Sequence, residues 1–168
     1  AVSQNLQDNH EIPTQSISKI YGGIPDEDCR LSAEEKQSLR CKLGLPQDKK
    51  VVIGCGRGMP FRKGADLFIE VAKDLQHKLP DETFLIWIGD FDPNEYDDQL
   101  GYWRDYQWRL EKEKNIKFLG FQTNTRDYLQ AADLFLLTSR EDPFPLVMLE
   151  AAQSGLPVIC FEQSGGAP

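Results

Sequence analysis

Short apolar runs alternate along this chain with longer stretches whose apolar positions recur every three or four residues. The runs are Val51-Val52-Ile53-Gly54-Cys55, Phe84-Leu85-Ile86-Trp87-Ile88, Ile116-Lys117-Phe118-Leu119, Asp133-Leu134-Phe135-Leu136-Leu137 and Val158-Ile159-Cys160-Phe161. Runs of that length, bounded by turn residues, predict buried strands. Leu67, Phe68, Val71, Ala72, Leu75 and Leu79 fall at helical spacing and predict an amphipathic helix over roughly 65–78. Ser32 with Glu35 three residues on predicts a capped helix start, and Gly44 with Pro46 beyond predicts its end. Residues 94–114 predict a charged helix whose Tyr and Trp residues read as packing, and the loop Gly120 to Asn124 leads into a helix through Ala131. Strands alternating with helices over short loops predict an α/β fold, a Rossmann-like open parallel sheet with helices on both faces. Ligands of such sheets bind at the carboxyl ends of the strands, so the loops after Cys55, Gly89, Leu119, Leu137 and Phe161 form the rim of interest.

The N-terminal 15 residues are polar and aperiodic and read as a tail or linker ahead of a domain over 16–168. Ile17-Ser18-Lys19-Ile20-Tyr21 predicts a short edge strand stopped by Gly22-Gly23. The net charge of −8 argues against a nucleic-acid partner, because phosphate neutralisation needs a basic face. No apolar run approaches the roughly 20 residues of a membrane span, and the N-terminus carries no signal-peptide pattern. The four cysteines show no metal spacing. Cys55 and Cys160 lie in apolar runs, which reads as reduced core thiols and a reducing compartment, the cytoplasm. His10 and His77 are isolated in sequence, and no metal site is expected.

Two stretches offer chemistry. The loop Gly56 to Gly64 combines glycines, Arg57, Arg62, Lys63 and a following helix whose N-terminal N–H groups favour an anion. It is neither known phosphate fingerprint. After Gly54 and Gly56 the third glycine of a dinucleotide motif is replaced by Met59, and Lys63 is followed by Gly64 where a P-loop needs Ser or Thr. The second stretch runs from Glu141 to Ile159. It puts Asp142 at a strand tip and Glu150 eight residues on, inside a helix among Leu149, Ala151 and Ala152. A negative charge near a helix N-terminus suits the dipole. A carboxylate beside small apolar residues needs a partner if buried, and sugar hydroxyls are suitable ones.

In order, Gly56-Arg57, Lys63-Gly64, Gly120, Asp133, Asp142-Pro143-Phe144-Pro145, Leu149-Glu150-Ala151, Gly155-Leu156-Pro157-Val158 and Gly165-Gly166 resemble the C-terminal, donor-binding domain of retaining GT-B glycosyltransferases of family four. The similarity runs from about Lys19 to Pro168. It implies a nucleotide-diphosphate sugar as donor, no cofactor and no metal. Arg57 and Lys63 match the pair that holds the donor diphosphate, and the backbone of Leu146 and Val147 would lie beside it. Glu150 matches the second carboxylate of the family's E-x7-E motif, which receives the ribose hydroxyls. Asp142 falls on the first carboxylate, facing the donor sugar. Asp142, Glu150, Lys63 and Arg57 are thus the expected catalytic set, and Gly120, Phe121 and Gln122 are placed where the nucleotide base meets such enzymes. The pattern departs from the family at two points. The first carboxylate is Asp with Glu141 just before it, so either side chain can face inward, and Pro145 stands where many relatives have Gly.

The resemblance further implies that the acceptor, a sugar, a lipid-linked sugar or another group, is bound by an N-terminal domain outside this chain. It also implies that the domain is cut short at its C-terminus, and that this portion by itself is inactive. The competing enzyme reading is a sugar-nucleotide epimerase of the same architecture. The non-enzyme reading is a Rossmann-like interaction module without activity.

Overall fold

The computed structural model describes residues 2–18, 20, 22–57, 60–90, 115–162 and 164. Five strands form one sheet: β1 (Lys50–Cys55), β2 (Thr83–Ile88), β3 (Ile116–Phe118), β4 (Leu134–Leu137) and β5 (Val158–Cys160), in the order β3-β2-β1-β4-β5. Every pairing is parallel, with Val52 opposite Leu85 and Leu134, and Phe135 opposite Val158. The expected open parallel sheet is therefore the fold. The charged helix expected over 94–114 lies outside the described residues.

The two-residue period of the strands sends alternate side chains to opposite faces. Val51, Ile53, Ile86, Ile88, Phe135 and Leu137 enter one core, closed by α2 (Ala33–Leu43), α5 (Thr125–Ala131) and α6 (Leu146–Gln153). Val52, Leu85, Trp87 and Leu136 enter the other, where Ala65, Phe68, Ile69 and Ala72 of α4 (Ala65–Lys78) cover them. Ser32 caps α2 as its sequence predicts: its Oγ accepts from the Glu35 N–H, and its own N–H donates to the Glu35 carboxylate.

The polar segment 1–15 carries a helix, α1 (Val2–His10), and a 3-10 turn follows at Thr14–Ser16. One local expectation is corrected. Among the described residues, the predicted edge strand around Ile17 to Tyr21 is absent, and Ile20 is fully solvated. The chain from Gly22 onward runs instead as a strap across α5 and α6. Gln153 donates to the Pro25 carbonyl, Gln130 donates to that of Cys29, and Glu27 pairs with Arg126. Helix side chains thus satisfy the Pro25 and Cys29 carbonyls of the strap.

Asp133 sits at the amino end of the sheet, ahead of β4. Its carboxylate accepts from the Val51 N–H at 2.8 Å, from Arg40 at 2.5 Å and from Lys36 at 3.0 Å. Burial alone would raise this carboxyl, but the Val51 N–H and the two cations hold it below its ordinary value. Asp133 ties α2 to the sheet at the end opposite the ligand rim.

Candidate functional site

Strand order reverses between β1 and β4, so the helices that follow them cover opposite faces and leave a crevice at the strands' carboxyl ends. The chain leaving β1 makes a single-turn helix, α3 (Pro60–Lys63), and then turns at Gly64 into α4. The chain leaving β4 passes Thr138, Ser139, Arg140 and Asp142 before entering α6 at Pro145. These two connections meet across the crevice. Lys63 Nζ lies 2.7 Å from Asp142 Oδ2, with both side chains largely buried. Glu141, the rival for the inward position, is exposed, whereas Asp142 is turned inward to Lys63. The Asp142 N–H donates to the Ser164 carbonyl at 3.3 Å, which fixes the carboxylate-bearing loop against the chain beyond β5.

The other predicted residues distribute around this ion pair. Arg57 is exposed at the end of β1, its guanidinium 5.4 Å from the centre of the Phe121 ring, a cation–π contact. Phe121 is itself more than half exposed. Gly120 takes a left-handed turn at φ 64 and its carbonyl accepts from the Gly89 N–H at 2.9 Å, so the loops after β2 and β3 are joined. Gln122 faces inward on its own loop, its amide donating to the Leu119 carbonyl at 2.6 Å. Leu146 is exposed and Val147 packs into the core. Pro145, the N-cap of α6, has no side chain that can bond the helix's first N–H groups.

Glu150 is half-buried on α6, and among the described residues no cation pairs with it. Its charge is felt at the end of β1. Burial first, and the Glu150 carboxylate second, push the Cys55 thiol up to about 11, with Lys63 acting in the opposite sense. Arg57 and Lys63 thus follow β1, and Asp142 and Glu150 follow β4, all beyond the carboxyl ends of these neighbouring strands.

The family model described as glycosyl transferases group 1 matches residues 35–168. The chain belongs to that family. It is 36% identical over 152 residues to an alpha-galactosylglucosyldiacylglycerol synthase of Streptococcus pneumoniae, covering 88% of this chain and 38% of that protein. It is 32% identical over 157 residues to the UDP-Gal:alpha-D-GlcNAc-diphosphoundecaprenol alpha-1,3-galactosyltransferase of Escherichia coli, covering 92% of this chain and 38% of the relative. Among solved structures, Anabaena HepE in complex with UDP and glucose superposes with TM-score 0.74 at 29% identity, over 92% of this chain and 40% of that one. WaaG, a glycosyltransferase involved in lipopolysaccharide biosynthesis, superposes with TM-score 0.78 at 23% identity, over 98% and 43%. The fold is that of one Rossmann-like half of the GT-B glycosyltransferases. The chain spans about two-fifths of the length of the relatives it matches.

In this group 1 glycosyltransferase chain, sequence reasoning missed the residues that hold the Lys63 turn in place. Thr138 Oγ1 donates to the Lys63 carbonyl at 3.3 Å, and the Arg140 N–H donates to that of Arg62 at 2.9 Å. Gly64 sits at φ 69 against Thr138, whose carbonyl oxygen would lie 1.8 Å from a Cβ there. Ser139 and Ser164 bring buried hydroxyls to the same rim with no partner among the described residues. The available signal was the polar run Thr138-Ser139-Arg140 directly after an apolar strand.

Proposed function

We propose that this chain is the donor-binding domain of a glycosyltransferase that moves a sugar from a nucleotide-diphosphate sugar to an acceptor with retained anomeric configuration. The observation that carries the reading is the contact of Lys63 with Asp142 across the switch point of the sheet, with Arg57 at the end of the adjoining strand. In this reading Lys63 and Arg57 offset the diphosphate charge, and the open N-terminus of α6 adds backbone donors. When the bond between the anomeric carbon and the β-phosphate oxygen breaks, the electron pair stays on the diphosphate, where the two cations stabilise it. The acceptor oxygen forms its bond on the same face of the sugar and passes its proton to the departing phosphate oxygen. Asp142 receives a hydroxyl of the donor sugar, and Glu150 receives the ribose hydroxyls. As in the family the sequence resembles, the reading calls on no metal ion. HepE in complex with UDP and glucose, and the Escherichia coli relative named for UDP-Gal, support a nucleotide-sugar donor.

The test is calorimetric titration of the full-length protein with UDP, GDP and ADP, repeated with Lys63→Ala. Binding of one diphosphate, weakened about tenfold or more by the substitution, is expected from loss of a hydrogen bond to a charged group. A folded protein that binds none of the three is an interaction module instead.

A further inference from the structure

The four-residue helix α3 is too short to be stable alone. Its last three carbonyls are each held from the β4 side. Phe61 O accepts from Arg140 Nη1 at 2.7 Å, Arg62 O from the Arg140 N–H at 2.9 Å, and Lys63 O from Thr138 Oγ1 at 3.3 Å. The same Arg140 guanidinium makes a two-pronged pair with Asp66, in the first turn of α4, with Nη1 2.6 Å from Oδ1 and Nη2 against Oδ2. It also lies 3.9 Å from the centre of the Phe61 ring. Arg140 therefore binds the elements on both sides of Lys63, while its own chain carries Asp142 two residues on.

We infer that Arg140 is a positioning residue for the donor site: with Asp66 and Phe61 it locks the Lys63 turn to the Asp142 loop, so that the Lys63 ammonium is held where a diphosphate arrives. The inference rests on the reading of Lys63 as a diphosphate ligand. Arg140 touches no ligand in this scheme, and its effect passes entirely through Lys63. Geometry decides the residue type. Only the planar fork of Arg satisfies a carboxylate with two parallel donors, caps a carbonyl and stacks on a ring at once; the Lys ammonium is a point charge. Burial of the Asp66 carboxylate, with less than a fifth of its side chain exposed, keeps the pair from being an ordinary solvated surface contact.

The experiment is a double-mutant cycle in the full-length protein, read by calorimetry with whichever of UDP, GDP or ADP the wild type binds, with the corresponding nucleoside as a phosphate-free probe. Arg140→Ala and Arg140→Lys are each expected to weaken diphosphate binding by about five- to tenfold, part of the value of a charged hydrogen bond, and to leave nucleoside binding unchanged. Asp66→Asn is expected to follow Arg140→Ala. In the Lys63→Ala background, adding Arg140→Ala is expected to cost nothing further, because residues acting through one group are not additive. Additive losses, equal weakening of nucleoside and diphosphate, or full rescue by Arg140→Lys would overturn the inference. If Lys63→Ala itself leaves binding unchanged, or the wild type binds no diphosphate, the reading of the donor site fails and the inference with it. If Lys63→Ala weakens binding while a folded Arg140→Ala does not, only the positioning role fails.

Discussion

Gly44 and Gly64 provide a matched pair for weighing the contact between the two rim loops. Both follow a helix in nearly the same left-handed conformation, φ 64, ψ 32 and φ 69, ψ 33. They differ in surroundings. A Cβ at Gly44 meets nothing within 4 Å, whereas one at Gly64 would lie 1.8 Å from the Thr138 carbonyl oxygen and 2.6 Å from its carbon. Alanine at Gly44 therefore carries only the left-handed penalty, about 1 kcal/mol. Alanine at Gly64 carries that penalty and also drives two backbones apart by roughly an ångström, breaking the Thr138–Lys63 and Arg140–Arg62 hydrogen bonds at about 1 kcal/mol each. The expected total is about 3 kcal/mol against about 1. The gain from stiffening the unfolded chain is the same for both substitutions and cancels in the comparison. For a domain of this size the expected fall in Tm is about 2–4 °C for Gly44→Ala and about 6–12 °C for Gly64→Ala. Thermal unfolding of both variants of the full-length protein measures this, with titration of UDP, GDP or ADP alongside. Gly44→Ala is expected to keep wild-type affinity, and Gly64→Ala to lose it as the Lys63 turn moves from Asp142. Equal losses of stability would refute the argument that backbone contact at Thr138 sets the geometry.

Arg57→Ala is expected to weaken donor use by about 1.5–3 kcal/mol, the scale of a hydrogen bond to a charged group, read as kcat/KM at sub-saturating donor; unchanged kinetics would remove Arg57 from the site. Glu150→Gln is expected to lower donor affinity with Tm unchanged, and a large drop in Tm would return Glu150 to a purely structural role. The Asp133 carboxyl is held below its ordinary value in the folded state, so its stabilisation is complete above the unfolded value near 3.9 and fades as pH falls through the folded one. The stability gap between wild type and Asp133→Asn, from urea unfolding, should accordingly narrow below about pH 4; a gap constant from pH 7 to pH 3 would contradict the assignment. Because burial and Glu150 push the Cys55 thiol up to about 11, alkylation at pH 8 should modify the exposed Cys41 well before Cys55, as mass spectrometry of partly labelled protein would show.

The strands, the helices that cover them and the parallel direction of the sheet were legible in the sequence. Those features follow from local periodicity, capping and turn residues. Val51 to Cys55 and Phe84 to Ile88 have no polar face to turn outward, and Ser32 with Glu35 closes a cap within four residues. Where local signal was weak, the reading failed. Ile17 to Tyr21 has strand-like residues, but among the described residues no strand forms there and Ile20 stays in solvent, while glutamines of α5 and α6 hold the chain farther on, at Pro25 and Cys29. The motif residues of the rim were likewise visible as types and spacings, but not their partners. Lys63 and Asp142 lie 79 residues apart, and only the strand order, which places β1 beside β4, brings them into contact. That same order sends Asp133 to the amino end of the sheet as a fold anchor, turns Asp142 inward and leaves Glu141 in solvent, and makes Arg140 a bridge between two loops. Chain-local forces chose the elements. Their adjacency, and with it the geometry of the charged rim, was decided by burying both faces of one parallel sheet.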